Sequence, residues 1–162
     1  PFHKQLSAGE IDAYIKEFVV AEKMTEEEAA AINIETIETF FTTPIAQQMI
    51  QYHDQLQREV AFTYGLAAKQ VYKDWSGPAD EIVMLQGIID CIVRTDKGLF
   101  LLDYKTDYIA DKSLSEATKK SLVDKYRTQV TLYREALENI LGEKVQASYL
   151  YFFDEQLLLE VN

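Results

Sequence analysis

The first third of the chain has the spacing of apolar residues that is typical of amphipathic helices. Ser7 and Glu10 are placed as in a capping box, and the apolar residues that follow recur at intervals of three and four. Thr25 and Glu28 repeat this arrangement. They predict a second helix that continues to about Phe41.

From residue 57 the pattern changes to the alternation of apolar and polar positions that is typical of strands. Three strands are predicted, at residues 58–66, 82–93 and 99–104. The segment Thr95-Asp96-Lys97-Gly98 predicts a hairpin turn between the last two. Gly87 lies inside the second strand, where it predicts a bulge or a bend.

The other predicted elements lie on either side of these three strands. Proline is tolerated in the first helical turn, so Thr43-Pro44 predicts a third helix that ends at about Asp54. The later elements are a long helix capped by Ser113 and Glu116 and ended by Gly142, and a hairpin of strands at 145–153 and 156–161. The predicted order is helices, three strands, one helix and two strands.

The composition narrows the class of protein. The chain has 162 residues, 48% of them hydrophobic, which suits one globular domain. Its net charge of −11 argues against a surface that is basic throughout, as nucleic-acid-coating proteins have. Cys91 is the single cysteine, which excludes an internal disulfide and cysteine-rich metal sites. No membrane span or leader is recognisable, so we expect a cytoplasmic domain. We also expect it to be cut from a larger protein.

The central hairpin carries the clearest candidate chemistry. If it turns about Asp96-Lys97, antiparallel pairing places Asp90 directly opposite Asp103. A bulge at Gly98 would shift that pairing by one residue. Lys105 lies two residues beyond Asp103, and therefore on the same face of the strand.

Two carboxylates opposite each other in an apolar sheet repel one another, and a bound divalent cation removes that cost. Oxygen ligands suit Mg²⁺, with Mn²⁺ as a second possibility. A lysine beside the metal could orient or deprotonate a water, or stabilise developing negative charge. These are the parts needed for phosphodiester hydrolysis.

The next predicted helix offers a second clue. Gln129 is the polar exception in its apolar stripe, with Tyr126 and Tyr133 one turn away on either side. A glutamine facing the core needs a hydrogen-bond partner. Gln129 and Tyr133 would then support the metal ligands or contact a phosphate.

Simpler interpretations of each feature remain open. An Asp-x-Lys triplet is common by chance, and Asp90 and Lys105 could be ordinary strand residues. Gln129 could lie at the edge of its stripe and reach solvent. The basic residues Lys119, Lys120, Lys125 and Arg127 could form a solvated helix face.

Three separate motifs together resemble the RecB-type nuclease family, a branch of the restriction-endonuclease-like fold. They are Gly87-x-x-Asp90, Asp103-Tyr104-Lys105-Thr106-Asp107 and Tyr126-x-x-Gln129-x-x-x-Tyr133. The stretch 58–62 also resembles the family's preceding strand. The resemblance implies a mixed central sheet flanked by helices, with residues 1–56 as the helical N-terminal part and 57–162 as the nuclease core of a single domain.

The resemblance also implies a role for each matching residue. Asp90, Asp103 and the backbone carbonyl of Tyr104 would bind Mg²⁺, and Lys105 would act on the attacking water. Gln129 and Tyr133 would be the family's helix residues, with Tyr126 a weaker match. The family's metal-binding histidine, in a G-T-x-x-H-like pattern, fits neither His3 nor His53, so we expect it upstream of Pro1. The isolated fragment could then be inactive.

The larger protein implied by this resemblance is a helicase–nuclease of the AddAB/RexAB type. Its nuclease would be a deoxyribonuclease, an exonuclease that cuts single-stranded DNA delivered by helicase domains of the same chain and leaves a 5′-phosphate. It would work beside an AddB/RexB-type partner in DNA repair and recombination. The motor's phosphate-binding loop is absent from this sequence. Two alternatives remain: a catalytically silent module of the same fold that binds DNA or a partner protein, and a purely structural domain.

Overall fold

The computed structural model describes residues 3–72 and 74–161, and it has a five-stranded sheet with helices on both faces. The helices are α1 (Ala8–Val20), α2 (Glu26–Ala31), α3 (Ile34–Phe40), α4 (Pro44–Gln51), α5 (Ala68–Val71) and α6 (Glu116–Leu141). The strands are β1 (Leu56–Ala67), β2 (Ile82–Thr95), β3 (Gly98–Lys105), β4 (Val145–Phe152) and β5 (Leu157–Glu160). The predicted order of elements is confirmed, and the short helix α5 is an addition to it.

The strands lie in the order β1-β2-β3-β4-β5. β3 and β4 are parallel, and the other neighbouring pairs are antiparallel. Parallel neighbours need a crossover connection, and α6 provides it between β3 and β4. The fold is therefore the mixed, helix-flanked α/β sheet expected for the restriction-endonuclease-like class.

The helical N-terminal segment differs in detail from the prediction. Both capping boxes form, at Ser7 and at Thr25. The predicted second helix is broken, because Ile32 is extended and Asn33 caps a new helix, α3, through its side chain. α4 ends at Gln51, and a short 3₁₀ turn (His53–Gln55) occupies the rest of the predicted third helix.

The long helix α6 begins later than predicted. Ser115, and not Ser113, is its N-cap, and the Ser115 hydroxyl accepts a hydrogen bond from the backbone N–H of Thr118. Asp111 accepts hydrogen bonds from the hydroxyls of Ser113 and Ser115, so the predicted serine supports the turn before the helix. Gly142 ends the helix in the left-handed conformation, φ 69°, as predicted.

Two layers of helix cover the two faces of the sheet. On one face, α3 and α4 contribute Phe40 and Met49 to a cluster with Cys91 and Val93. On the other face, α6 packs against apolar side chains from every strand; the residues of α6 are Val130, Ala136 and Leu137, and those of the sheet include Phe62, Ile89, Ile92, Leu101 and Leu150. The sheet is thus buried between helices where its central strands lie.

The alternation of side chains along β2 reverses at Asp90. Ile89 and Ile92 both face α6, whereas Cys91 faces α3 and α4, so the period of two is broken between residues 89 and 91. Glu59 lies at the corresponding place in β1 and has a positive φ of 52°. Because both strands carry the irregularity, their register is the same on either side of it.

The predicted bulge at Gly87 is therefore wrong, since the β1–β2 register runs through Gly87 without interruption. This glycine instead allows close packing. A Cβ built at residue 87 would lie 2.8 Å from Cε1 of Phe62 and 3.3 Å from Cε1 of Tyr133. Those two rings meet edge to face, with centroids 5.4 Å apart.

We expect Gly87→Ala to destabilise the fold by about 1–3 kcal/mol, the usual cost of overpacking a filled interior. Urea unfolding followed by circular dichroism measures the change. Gly9→Ala is the matched control, because a Cβ there meets nothing within 4 Å. It should be neutral or slightly stabilising, as alanine favours a helix. Equal effects of the two substitutions would contradict the packing explanation.

Candidate active site

Asp90 and Asp103 lie where the β2–β3 ladder ends. The ladder pairs Cys91 with Leu102 and runs to Thr95 and Gly98, which is the register predicted from the hairpin turn. The two aspartates come next in that register. The Asp90 carboxylate accepts a hydrogen bond from the backbone N–H of Tyr104 over 2.7 Å. A side chain of β2 thus continues the link to β3.

Asp103 is an unusually buried carboxylate, with 4% of its surface exposed. Lys105 forms an ion pair with its Oδ2 atom, but no hydrogen bond of good geometry reaches that oxygen from the described residues. Burial raises the pKa of Asp103, the Lys105 ammonium lowers it, and the Asp90 charge raises it further. The net effect is a raised pKa, because the ionised carboxylate has too few positive partners to offset its burial.

A chain of polar contacts runs from Lys105 into α6. Lys105 Nζ donates a hydrogen bond to Gln129 Oε1 over 3.0 Å. Gln129 Nε2 in turn donates to the Tyr133 hydroxyl, also over 3.0 Å. Gln129 is thus a partner of Lys105, which favours the interpretation that it supports the site over the alternative of a residue at the edge of its stripe. The structure brings Asp103, Lys105, Gln129 and Tyr133 together.

Tyr104 points its side chain the other way. Its ring meets Phe40 edge to face, and its hydroxyl lies 3.6 Å from Cys91 Sγ. Burial raises the pKa of the Cys91 thiol to about 11, so this cysteine is a thiol near neutral pH. Only the backbone of Tyr104 lies in the candidate site, and its predicted role as a carbonyl ligand stays a prediction.

A cavity of about 330 Å³ borders Asp90 on the side of α3. Its lining is mainly aromatic and aliphatic, with three charged residues and one cysteine, and comprises Ile37, Phe40, Phe41, Arg58, Glu59, Asp90, Cys91, Tyr104 and Phe153. Sequence patterns did not single out Glu59 for this place. Its positive φ, which is uncommon outside glycine, is visible only in the folded backbone.

The two histidines lie close to each other on the surface. The rings of His3 and His53 have centroids 6.5 Å apart, and His53 Nε2 lies 3.1 Å from Asp54 Oδ1. Within residues 3–72 and 74–161, no group of three or more His, Cys, Asp or Glu side chains is arranged to hold a metal ion. A metal at Asp90 and Asp103 would need further ligands, from backbone, water or another segment.

The two carboxylates nevertheless fit part of a divalent cation site. A buried Asp103 oxygen without a good hydrogen bond, beside a second carboxylate, is an environment that a hard cation stabilises. A bound metal would add positive charge to that which Lys105 supplies.

The basic residues of α6 carry less available charge than the sequence suggests. Lys119 pairs with Glu116, Lys125 with Asp107, and Arg127 with Asp124. These pairs favour the interpretation of a solvated helix face, because each cation has a local anion. A surface dedicated to DNA phosphates would leave more of them unneutralised.

The fold and the site together define a class. A mixed sheet with an α crossover, two aspartates at a strand end and a lysine two residues after the second are features of restriction-endonuclease-like nucleases. A sequence profile described as the PD-(D/E)XK nuclease superfamily matches residues 3–160. The chain belongs to the PD-(D/E)XK nuclease superfamily.

Curated relatives match over nearly all of this chain, and they are described as the A-subunits of ATP-dependent helicase/nucleases. The one from Oceanobacillus iheyensis is 45% identical over 161 residues, covering 99% of this chain and 13% of that protein. The one from Thermoanaerobacter sp. is 39% identical over 158 residues, covering 97% and 12%. The one from Listeria welshimeri is 39% identical over 140 residues, covering 86% and 11%. The chain thus spans about an eighth of the relatives' length.

Among the described residues, no helix combines the length and the hydropathy that a membrane span requires.

We expect Mn²⁺ or Mg²⁺ to raise the melting temperature of this domain if Asp90 and Asp103 bind metal. A ligand at a hundred times its dissociation constant stabilises a protein by roughly 2.7 kcal/mol. For this size of domain that is on the order of 5–10 °C. Asp90→Asn and Asp103→Asn should remove the shift, and the exposed Asp80→Asn should keep it. A shift that survives in both site variants would place the metal elsewhere.

Proposed function

We propose that this chain is the nuclease domain of an AddA (RexA) type helicase–nuclease, and that it hydrolyses phosphodiester bonds of single-stranded DNA. The observation that carries the proposal is the convergence of Asp90, Asp103 and Lys105 at one strand end, continued by Gln129. Membership of the nuclease superfamily and the relatives' description as helicase/nuclease subunits support it.

Each residue has a proposed role. Asp90, Asp103 and the Tyr104 carbonyl would hold Mg²⁺, with Mn²⁺ as a substitute, completed by the histidine expected upstream of Pro1. A bound metal would polarise the phosphate and lower the pKa of a coordinated water. Lys105 orients the attacking water and offsets charge that develops on the phosphate. Gln129 and Tyr133 hold the Lys105 ammonium in place.

The acidity of the chain bears on how the substrate is bound. With a net charge of −11 and several α6 cations already paired, this segment is a poor general binder of DNA. We therefore propose that helicase domains of the longer protein and an AddB/RexB-type partner hold and deliver the strand. In that arrangement the nuclease domain contributes the cut, as an exonuclease in double-strand break repair and recombination.

A second function is a silent module of the same fold that binds DNA or a partner protein without cutting. Loss of activity usually removes one of the acidic or lysine residues, but Asp90, Asp103 and Lys105 are all present. Lys105 pairs with Asp103, and Asp90 accepts a hydrogen bond from the backbone of the residue between them, Tyr104. This observation favours the nuclease. The silent module predicts binding without cleavage in every metal tested.

We expect Lys105→Ala to abolish DNA cleavage by the full-length helicase–nuclease while leaving metal binding nearly intact. The measurement is release of nucleotides from labelled single-stranded DNA in Mg²⁺, with ATPase activity recorded in parallel. Lys120→Ala, at an exposed position of α6, is the matched control and should cut normally. Normal cutting by Lys105→Ala would remove Lys105 from the mechanism, and no cutting by the unaltered protein would favour the silent module.

Gln129→Ala should lower turnover by roughly tenfold, because the Lys105 ammonium loses a hydrogen bond worth about 1.5 kcal/mol or more. Unfolding curves should show α6 still folded. The steady-state rate in saturating DNA reports the change. Full activity of this variant would show that Gln129 has no role in cleavage.

A further inference from the structure

Asp107 and Tyr126 are joined by a hydrogen bond beside Lys105. The Tyr126 hydroxyl donates a hydrogen bond to Asp107 Oδ2 over 2.5 Å. Lys125, the neighbour of Tyr126 on α6, forms an ion pair with the other oxygen of the same carboxylate. Asp107 thereby ties the segment after β3 to α6 through two adjacent side chains.

The Tyr126 ring lies against the Lys105 ammonium. Lys105 Nζ is 4.2 Å from the ring centroid, within the range of a favourable cation–π contact. Lys125 Nζ is 4.9 Å from the same centroid, so the ring contacts two cations. The hydrogen bond from its hydroxyl to Asp107 fixes where that ring can lie.

Lys105 is therefore restrained by three groups of different kinds. They are the Asp103 carboxylate, the Gln129 amide oxygen and the Tyr126 ring. A lysine side chain is long and flexible, so its ammonium can move away from the site wherever no neighbouring group restrains it. The ring restrains it on one side without competing for a hydrogen bond that water or phosphate would use.

We infer that Asp107 and Tyr126 form a positioning pair, in which Asp107 anchors the tyrosine so that its ring holds the Lys105 ammonium beside Asp103. The inference rests on the proposed nuclease function. Neither residue need contact DNA or metal. Hydrogen bonds from Lys125 and Tyr126 also keep the pKa of Asp107 below its usual range, so that the anchor stays a carboxylate near neutral pH.

The test is a set of substitutions in the full-length helicase–nuclease, assayed on single-stranded DNA in Mg²⁺. Tyr126→Leu removes the ring, and we expect kcat for cleavage to fall about tenfold with KM for DNA unchanged. Tyr126→Phe keeps the ring but loses its anchor, so kcat should fall by about threefold, less than in Tyr126→Leu. Asp107→Asn frees the ring from its charged anchor and should resemble Tyr126→Phe. Tyr108→Leu, at the exposed tyrosine beside Asp107, is the matched control and should leave kcat unchanged.

Three results would overturn the inference. They are an unchanged kcat in Tyr126→Leu, a rise in KM with kcat intact, and Tyr126→Phe and Asp107→Asn variants that both cut as fast as the unaltered protein. Thermal unfolding of each variant separates a positioning role from lost folding, and Asp107→Asn decides the matter if Tyr126→Leu does not fold. If the unaltered protein cuts no DNA, the proposed function fails and this role fails with it. Cutting that is insensitive to Tyr126 defeats the positioning role alone.

Discussion

The burial of one negative charge governs how this site is built. Asp103 lies in the central strand of a sheet that is covered by helices on both faces, where an ionised carboxylate is costly unless positive groups surround it. Among the described residues, Lys105 is the cation paired with it, from the next position on the same face of β3. That cation must itself be held, and Gln129 and Tyr126 on α6 hold it. The residues that stabilise this single carboxylate, directly or through Lys105, thus come from both the strand β3 and the crossover helix α6.

The helix α6 serves the fold and the candidate site with one face. Val130, Ala136 and Leu137 cover the sheet, and Tyr126 and Tyr133 pack against the same clusters. Tyr126 and Gln129 also contact Lys105, and Tyr133 supports Gln129. Because β3 and β4 are parallel, the chain needs a long crossover between them, and 26 residues of α6 provide it. The topology therefore places a helix over the end of β3 before any functional requirement is considered. The polar residues of the site occupy positions that this packing already fixes.

Much of this architecture follows from local sequence, and the parts that do not have identifiable causes. Alternation and turn residues predicted the β2–β3 register, because a tight hairpin leaves little freedom in pairing. The reversal of side-chain alternation at Asp90 could not be predicted from the sequence. Because β1 and β2 both carry an irregularity there, the pairing of the two strands is the same as in a regular ladder. Gly87 suggested a bulge, but the residue is needed because the rings of Phe62 and Tyr133, from distant segments, pack closely against its Cα. The contact of Asp107 with Tyr126 likewise joins residues that only the tertiary fold brings together.

The matched irregularity of β1 and β2 also bears on how this domain can vary. At Glu59 and Asp90 the alternation of side chains reverses in both strands. Odd-numbered residues of β2 therefore face α6 before Asp90 and face α3 and α4 after it. An insertion or deletion in one strand alone would turn every side chain beyond it to the wrong layer. A paired change in both strands would preserve the layers while moving the carboxylate along the sheet. Length variation in these two strands should therefore be inherited in pairs, whereas the exposed loop at residues 74–81 lies outside the ladder and is not bound by this rule.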